Sequence, residues 1–307
     1  MFYRYDSTEA RLRLDSCIQE AAQHEDPGIV KTLSAILPAD YEVVEFMQPP
    51  CLRLVKQSEG EHEEATVAVR GILCDKTLPP IYTLASHKFE HVRYLRQFVR
   101  LTGLGSMSFH DSLTRIDDIE SRFREADGVT HLEGFSFGEF EEEECVAMHA
   151  RYLTERRFVL GQRHIPFPPE IDPNDALEAA RGTKFIRIAD NVVQYSKKVV
   201  NEDGTVLYEP LSPAEFKMGD IVEATGTFVA YPEREEGHYV MVFALRALTM
   251  LDSTIREAAK PTFKPKTEID QRKAARRKKG KMPTMGNLKR SYISYGTPTR
   301  RGGAMGT

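Results

Sequence analysis

At Lys184 the spacing of apolar residues shortens from that of a helix to the two of a strand, and it stays short to Asp252. Residues 185–193, 197–200, 206–208, 221–231 and 239–251 are five strand candidates. Asn201-Glu202-Asp203-Gly204, Met218-Gly219-Asp220 and the run from Pro232 to Gly237 separate them, and all three are turn-forming. Gly226 stands inside the fourth candidate, where a glycine marks a bend or a bulge. Short strands with a bend predict a small antiparallel barrel or sandwich, of which an OB-like barrel is one form.

Upstream the pattern is mainly helical. Residues 7–24 carry a loose stripe of Leu12, Leu14, Cys17, Ile18 and Ala21, ended by Asp26-Pro27-Gly28. A short helix follows to Leu37, and then strands at 41–47, 51–56 and 66–73. Residues 86–101 place Phe89, Val92, Leu95, Phe98 and Val99 at helical spacing. Residues 112–126 do the same with Leu113, Ile116, Ile119 and Phe123. A third helix is expected over 139–160, because Glu141 to Glu144 would suit its first turns and Arg156-Arg157 its other end. The whole is α+β: a mainly helical region at 1–163, a Pro-rich joint with a short helix at 164–183, a β-rich domain at 184–252, and a basic tail at 253–307. The tail has few apolar residues and many like charges, which predicts no fixed fold.

Charge is divided as sharply as periodicity. The formal net charge is −4, yet residues 260–307 hold 14 Lys/Arg and two acids, whereas residues 1–259 hold 28 and 44. A basic tail of this kind contacts DNA or RNA phosphates, or a nuclear import receptor. Its candidate binding residues are Lys264, Lys266, Arg272, Lys273, Arg276, Arg277, Lys278, Lys279, Lys281, Lys289 and Arg290. In the β-rich domain, Arg187, Tyr195, Lys197, Lys198, Tyr231, Tyr239 and Arg246 are secondary candidates, as basic or base-stacking groups of a nucleic-acid groove. Residues 184–252 contain seven Lys/Arg and eleven Asp/Glu, and that balance favours a tail-dominated interaction or a barrel that contacts other proteins.

Signatures of catalysis are sparse. There is no nucleophile elbow, no Walker A loop and no dinucleotide-binding glycine turn, so no cofactor is expected. The segment His87-Lys88-Phe89-Glu90-His91 spells H-x-x-E-H, in which two histidines one helical turn apart share a zinc ion and the glutamate serves as general base. It supports the alternative of a zinc-dependent hydrolase through His87, Glu90 and His91. Cys17, Cys51, Cys74 and Cys145 form no C-x-x-C pair and are expected to be reduced thiols. Charges between Met1 and Arg13 do not suit a secretion signal, and no run of about 18 apolar residues predicts a membrane span.

Residues 191–252 also carry a resemblance. Asn191-Val192-Val193-x-Tyr195 opens it, F-x-x-GDIVEA-x-x-x-FVA-x-P spans 216–232, and Y-x-M-x-x-x-LRALT-x-LD closes it at 239–252. These pieces resemble a recurrent protein family of mushroom-forming fungi, some members of which resemble accessory products of mobile elements. The resemblance implies association with nuclear DNA and assigns no residue a role. The sequence therefore points to a non-enzymatic nuclear accessory protein that binds nucleic acid mainly through its tail. The alternatives are a protein-interaction or assembly module localised by that tail, and the zinc hydrolase.

Overall fold

The computed structural model of the chain describes residues 5–23, 30–58, 61–202 and 204–259. The turn at Asp26-Pro27-Gly28 and every tail candidate from Lys264 to Arg290 lie outside the described residues. Met1–Lys260 is one compact unit.

Five strands build its centre: β1 (Val67–Thr77), β2 (Arg96–Thr102), β3 (Glu143–Arg151), β4 (Ile221–Pro232) and β5 (His238–Asp252). They pair in the order β1-β2-β3-β5-β4 and back to β1. Every contact is antiparallel except β3 with β5, which run parallel and meet at His149 and Ala244. A closed five-strand ring with a single, short parallel seam is an OB-like barrel, partly open at that seam.

Alternation along each strand sets the core. Val99 and Leu101 of β2, Val146, Met148 and Ala150 of β3, Phe228 and Ala230 of β4, and Met241, Phe243 and Leu245 of β5 are buried in one cluster. The rings of Phe228 and Phe243 stack with centroids 4.2 Å apart. The β4–β5 register shifts between Thr225 and Gly226, as the sequence suggests. A Cβ on Gly226 would meet the Ala244 carbonyl oxygen and, at 2.5 Å, the Met148 methyl, so only glycine lets the bulged strand pass this close.

Two helices cover the barrel as expected. Helix α1 (Ser7–Gln23) buries Ala10, Leu14 and Cys17. Helix α2 (Met107–Arg124) buries Phe109, Leu113, Ile116, Ile119 and Phe123 on one stripe. Its N-cap is Ser106, whose hydroxyl accepts from the Phe109 amide at 3.1 Å and donates to Asp15 of α1 at 2.6 Å. A hairpin of Glu42–Met47 and Pro50–Ser58 extends the sheet beside β4.

The α+β class and the small barrel stand; the origin of the barrel strands differs from expectation. Residues 184–252 supply only β4 and β5. The Gln194–Val200 and Val206–Pro210 strands form an outer hairpin on β5, and Phe185–Ile186 pairs with Thr154–Glu155 in a separate ribbon. The other three barrel strands come from the mainly helical region 1–163: β1 lies where a strand was expected at 66–73, and β2 and β3 lie where helices were expected.

Two expected helices are replaced by strands. In 86–101, only Phe89–Val92 is helical. Phe89, Val92 and Leu95 pack into a small second cluster with Tyr152, Leu177 and Phe185. From Arg96 onward the chain alternates, with Val99 and Leu101 buried and Arg96, Phe98 and Arg100 half-buried. In 139–160, the backbone at Glu141 and Glu142 is left-handed (φ +52° and +68°), and it reverses the chain between Gly138–Phe140 and β3. Antiparallel pairing of β3 with β2 outweighs the local helical preference. The Pro-rich joint is fastened to the body, since the Ile165 amide donates to the Arg187 carbonyl at 2.9 Å and Arg187 donates to the Pro166 carbonyl at 2.6 Å.

Candidate nucleic-acid interface

The outward positions of β2 and β3 make an unusual surface. Arg96 of β2 lies directly across from Arg151 of β3, and Phe98 lies across from His149. Like charges facing each other on paired strands repel. Among the described residues no carboxylate pairs with either arginine. Arg96 donates only to the Tyr94 carbonyl, at 3.4 Å, and the Arg151 guanidinium lies 5.2 Å from the Tyr231 ring centroid. Burial, then the charge of Arg151, lowers the pKa of Arg96. Burial, then Arg96 and Arg151, pushes His149 down to about 4, so its imidazole is neutral at pH 7 with one donor and one acceptor nitrogen.

Arg96, His149 and Arg151 of this surface line an open groove of about 990 Å³. The β1–β2 connection brings Arg93 and Tyr94 to one rim, and the β4–β5 turn brings Arg234. The strand 2–3 face and these two connections are where OB-type barrels hold oligonucleotides. Five arginines and two glutamates line the groove, so its local charge is positive although the body as a whole is acidic. Arg93 and Arg157 share the buried Glu155, at 3.3 and 2.8 Å, which holds their guanidinium groups together. Tyr94 is 56% exposed, and Arg93 lies 5.2 Å from its ring centroid. An exposed ring beside a guanidinium is a platform on which a base can stack.

At one end the groove narrows into a cleft of about 170 Å³. It shares Arg93, His149, Arg151, Tyr231, Pro232 and Val242 with the groove, and Pro49, Pro50, Phe158, Asp190, Ala244 and Arg246 are among the residues that complete it. Arg246 donates to both oxygens of Glu64 (3.1 and 2.9 Å) and to the Asp190 carbonyl (3.1 Å). Arg53 binds Glu64 at 2.7 Å and both oxygens of Asp190, so two arginines and two acids form one network at the inner end.

Of the secondary candidates, the structure brings Tyr231 and Arg246 to this cleft. Arg187 is 5% exposed, 4.8 Å from the Phe167 ring centroid, and is part of the body's packing. Tyr195 donates to Gln97 at 2.7 Å and packs, half-buried, against the core, and it lies in neither the groove nor the cleft. Lys197 pairs with Glu209 at 3.0 Å on the outer hairpin, where Lys198 also sits. Tyr239 packs against the core. Arg93, Tyr94, Arg96, His149 and Arg151 were not candidates in the sequence, because the segments that carry them read as helices. The charge balance of 184–252 does not describe the groove, since β2, β3 and Arg93 lie outside that range.

The H-x-x-E-H segment does not form the site its spelling suggests. The helix starts at Phe89, so His87 precedes it and does not sit one turn from His91 on a common face. Among the described residues no group of three or more His, Cys, Asp or Glu is placed to hold a metal ion. The four cysteines are free and buried. No helix among the described residues is long and apolar enough to cross a membrane.

No protein-family model matches the chain, and no curated protein matches it. Among solved structures, the chain is similar to gp2.5, a single-stranded DNA binding protein encoded by bacteriophage T7. The identity is 8%, the match covers 61% of this chain and 86% of that one, and the TM-score is 0.30. A likeness that low carries no weight, and the barrel assignment rests on the strand order.

Proposed function

We propose that the protein binds single-stranded nucleic acid along the β2–β3 groove. The observation that supports this reading is the facing pair Arg96 and Arg151, half-buried, without a carboxylate partner among the described residues, in a groove that Tyr94 and Tyr231 also line. Such a pair costs stability in the free protein, and a phosphodiester chain is the ligand that offsets the repulsion and supplies bases to the aromatic rings. A duplex is too wide to place its bases against the floor of such a groove. In the same reading the basic tail adds phosphate contacts that do not distinguish sequences. The segment from Arg272 to Lys281 also serves as a nuclear address, in keeping with the nuclear DNA association implied by the resemblance over 191–252.

The test is the double variant Arg96→Ala/Arg151→Ala, titrated with a labelled single strand over a range of salt. Loss of two phosphate contacts should weaken binding about tenfold or more and flatten the slope of log K against log salt by about 1.4. The variant should be no less stable than the parent, because the change removes a repulsion. Unchanged affinity and slope would reject the groove.

One feature favours a protein-contact role as a second reading. The outer strand Val206–Pro210 is a sheet edge and exposes Val206, Leu207 and Tyr208. Self-association or partner binding lost on Leu207→Lys would support it, and a monomer with unchanged behaviour would not.

A further inference from the structure

We infer that the narrow cleft at the end of the groove takes one unpaired nucleobase carrying an exocyclic amino group, while the phosphate of that nucleotide rests on Arg96 and Arg151. This rests on the groove reading above and adds a subsite to it.

The cleft has three chemically distinct zones. Its mouth opens on the groove at Arg151 and neutral His149, with Arg93 beside them, and Arg96 lies outside the cleft, across the strand pair from Arg151. Its walls are flat and apolar: Pro49 and Pro50 from the hairpin turn, Tyr231 from β4, and Val242 and Ala244 from β5. Its inner end is polar, formed by Asp190 and Arg246. At about 170 Å³ the cleft is far smaller than the groove of about 990 Å³, which suits one flat ring system better than a run of stacked bases. A phosphate is disfavoured at the inner end because Asp190 is there. A base satisfies all three zones, with its faces on the apolar walls and its edge toward the carboxylate.

Asp190 determines which bases fit. An ionised carboxylate has about four acceptor positions and no donor. Arg53 occupies one on each oxygen, and Arg246 approaches no nearer than 3.7 Å. The remaining positions face a ligand that must donate. Adenine, cytosine and guanine present an amino group on the pairing edge; thymine and uracil present carbonyl oxygens on either side of a single N–H. The half-buried carboxylate therefore disfavours the latter pair, whose carbonyl oxygens it repels on both sides of the N–H.

The test uses the full chain and two labelled single strands, oligo(dT) and the same oligomer with one central dC. The expected result is tighter binding of the dC oligomer by about fivefold or more. Ala244→Leu, which fills the inner cleft without touching the groove, should bring both oligomers to the oligo(dT) affinity. Asp190→Asn, which replaces an acceptor with a mixed group, should reduce or reverse the preference. Equal affinity of the parent for both oligomers, or a preference that survives Ala244→Leu, would overturn the inference while leaving the groove intact. Failure of the groove itself would show as loss of the Arg96 and Arg151 effect on oligo(dT).

Discussion

Arginine 96, arginine 151 and the histidine between them give the protein a measurable electrostatic signature. His149 has a folded-state pKa of about 4 against an ordinary 6.5, because it is buried first and flanked by two guanidinium groups second. Its neutral form is the folded form. The unfolded chain therefore binds an extra proton below pH 6.5, so the stability linked to this group is fully present above 6.5 and is lost as pH falls toward 4. The loss is at most roughly 3 kcal/mol, from the usual 1.36 kcal/mol for each pKa unit. Urea midpoints measured at pH 7 and pH 4.5 should fall less in His149→Gln than in the parent. Equal falls would remove His149 from the account. Arg246 shows how residue type alone misleads: it was a plausible phosphate contact, yet its donors are committed to Glu64 and Asp190.

At the scale of elements, the strands that the sequence showed clearly were those whose alternation has no helical competitor. β4 and β5 fall within two residues of their expected ends, and the register shift at Gly226 was foreseeable because a glycine inside a long strand has few other uses. β2 was hidden because Phe89, Val92, Leu95 and Val99 do lie at helical spacing, although the first three serve the small second cluster and Val99 the main core. β3 was hidden by its turn. A two-residue hairpin with both φ values positive normally announces itself as Asn-Gly, and here it is Glu141-Glu142. That pair carries a conformational cost, so Glu141→Asn/Glu142→Gly should raise stability by about 1 kcal/mol. Gly226→Ala should do the opposite, costing about 1–3 kcal/mol by overpacking against Met148 and the Ala244 carbonyl. Chemical denaturation checks both; a stabilising Gly226→Ala would mean that the bulge is not tight.

For the whole molecule, charge is divided between an acidic body that carries a positive groove and a basic tail. The charge of the tail was legible in composition, but its expected start at 253 was too early: Thr254–Ala259 is a helix that buries Ile255 and Ala259, and residues 260–307 lie outside the described residues. The groove was not legible, because it is assembled from β2, β3 and their connections, which are distant in sequence from β4 and β5. Summed charge over a contiguous stretch cannot report a surface built from several. Met1–Lys260 is a compact unit by itself, so a chain ending at Ala259 should fold with an unchanged melting temperature. The central claim, that the groove and not only the tail binds single strands, is tested most directly by titrating that tail-less chain with single-stranded and duplex DNA of equal length across a salt series. The tail-less chain should retain binding of the single strand, bind the duplex much more weakly, and lose the difference in Arg96→Ala/Arg151→Ala. A folded tail-less chain that binds neither ligand, or binds both alike, would contradict it.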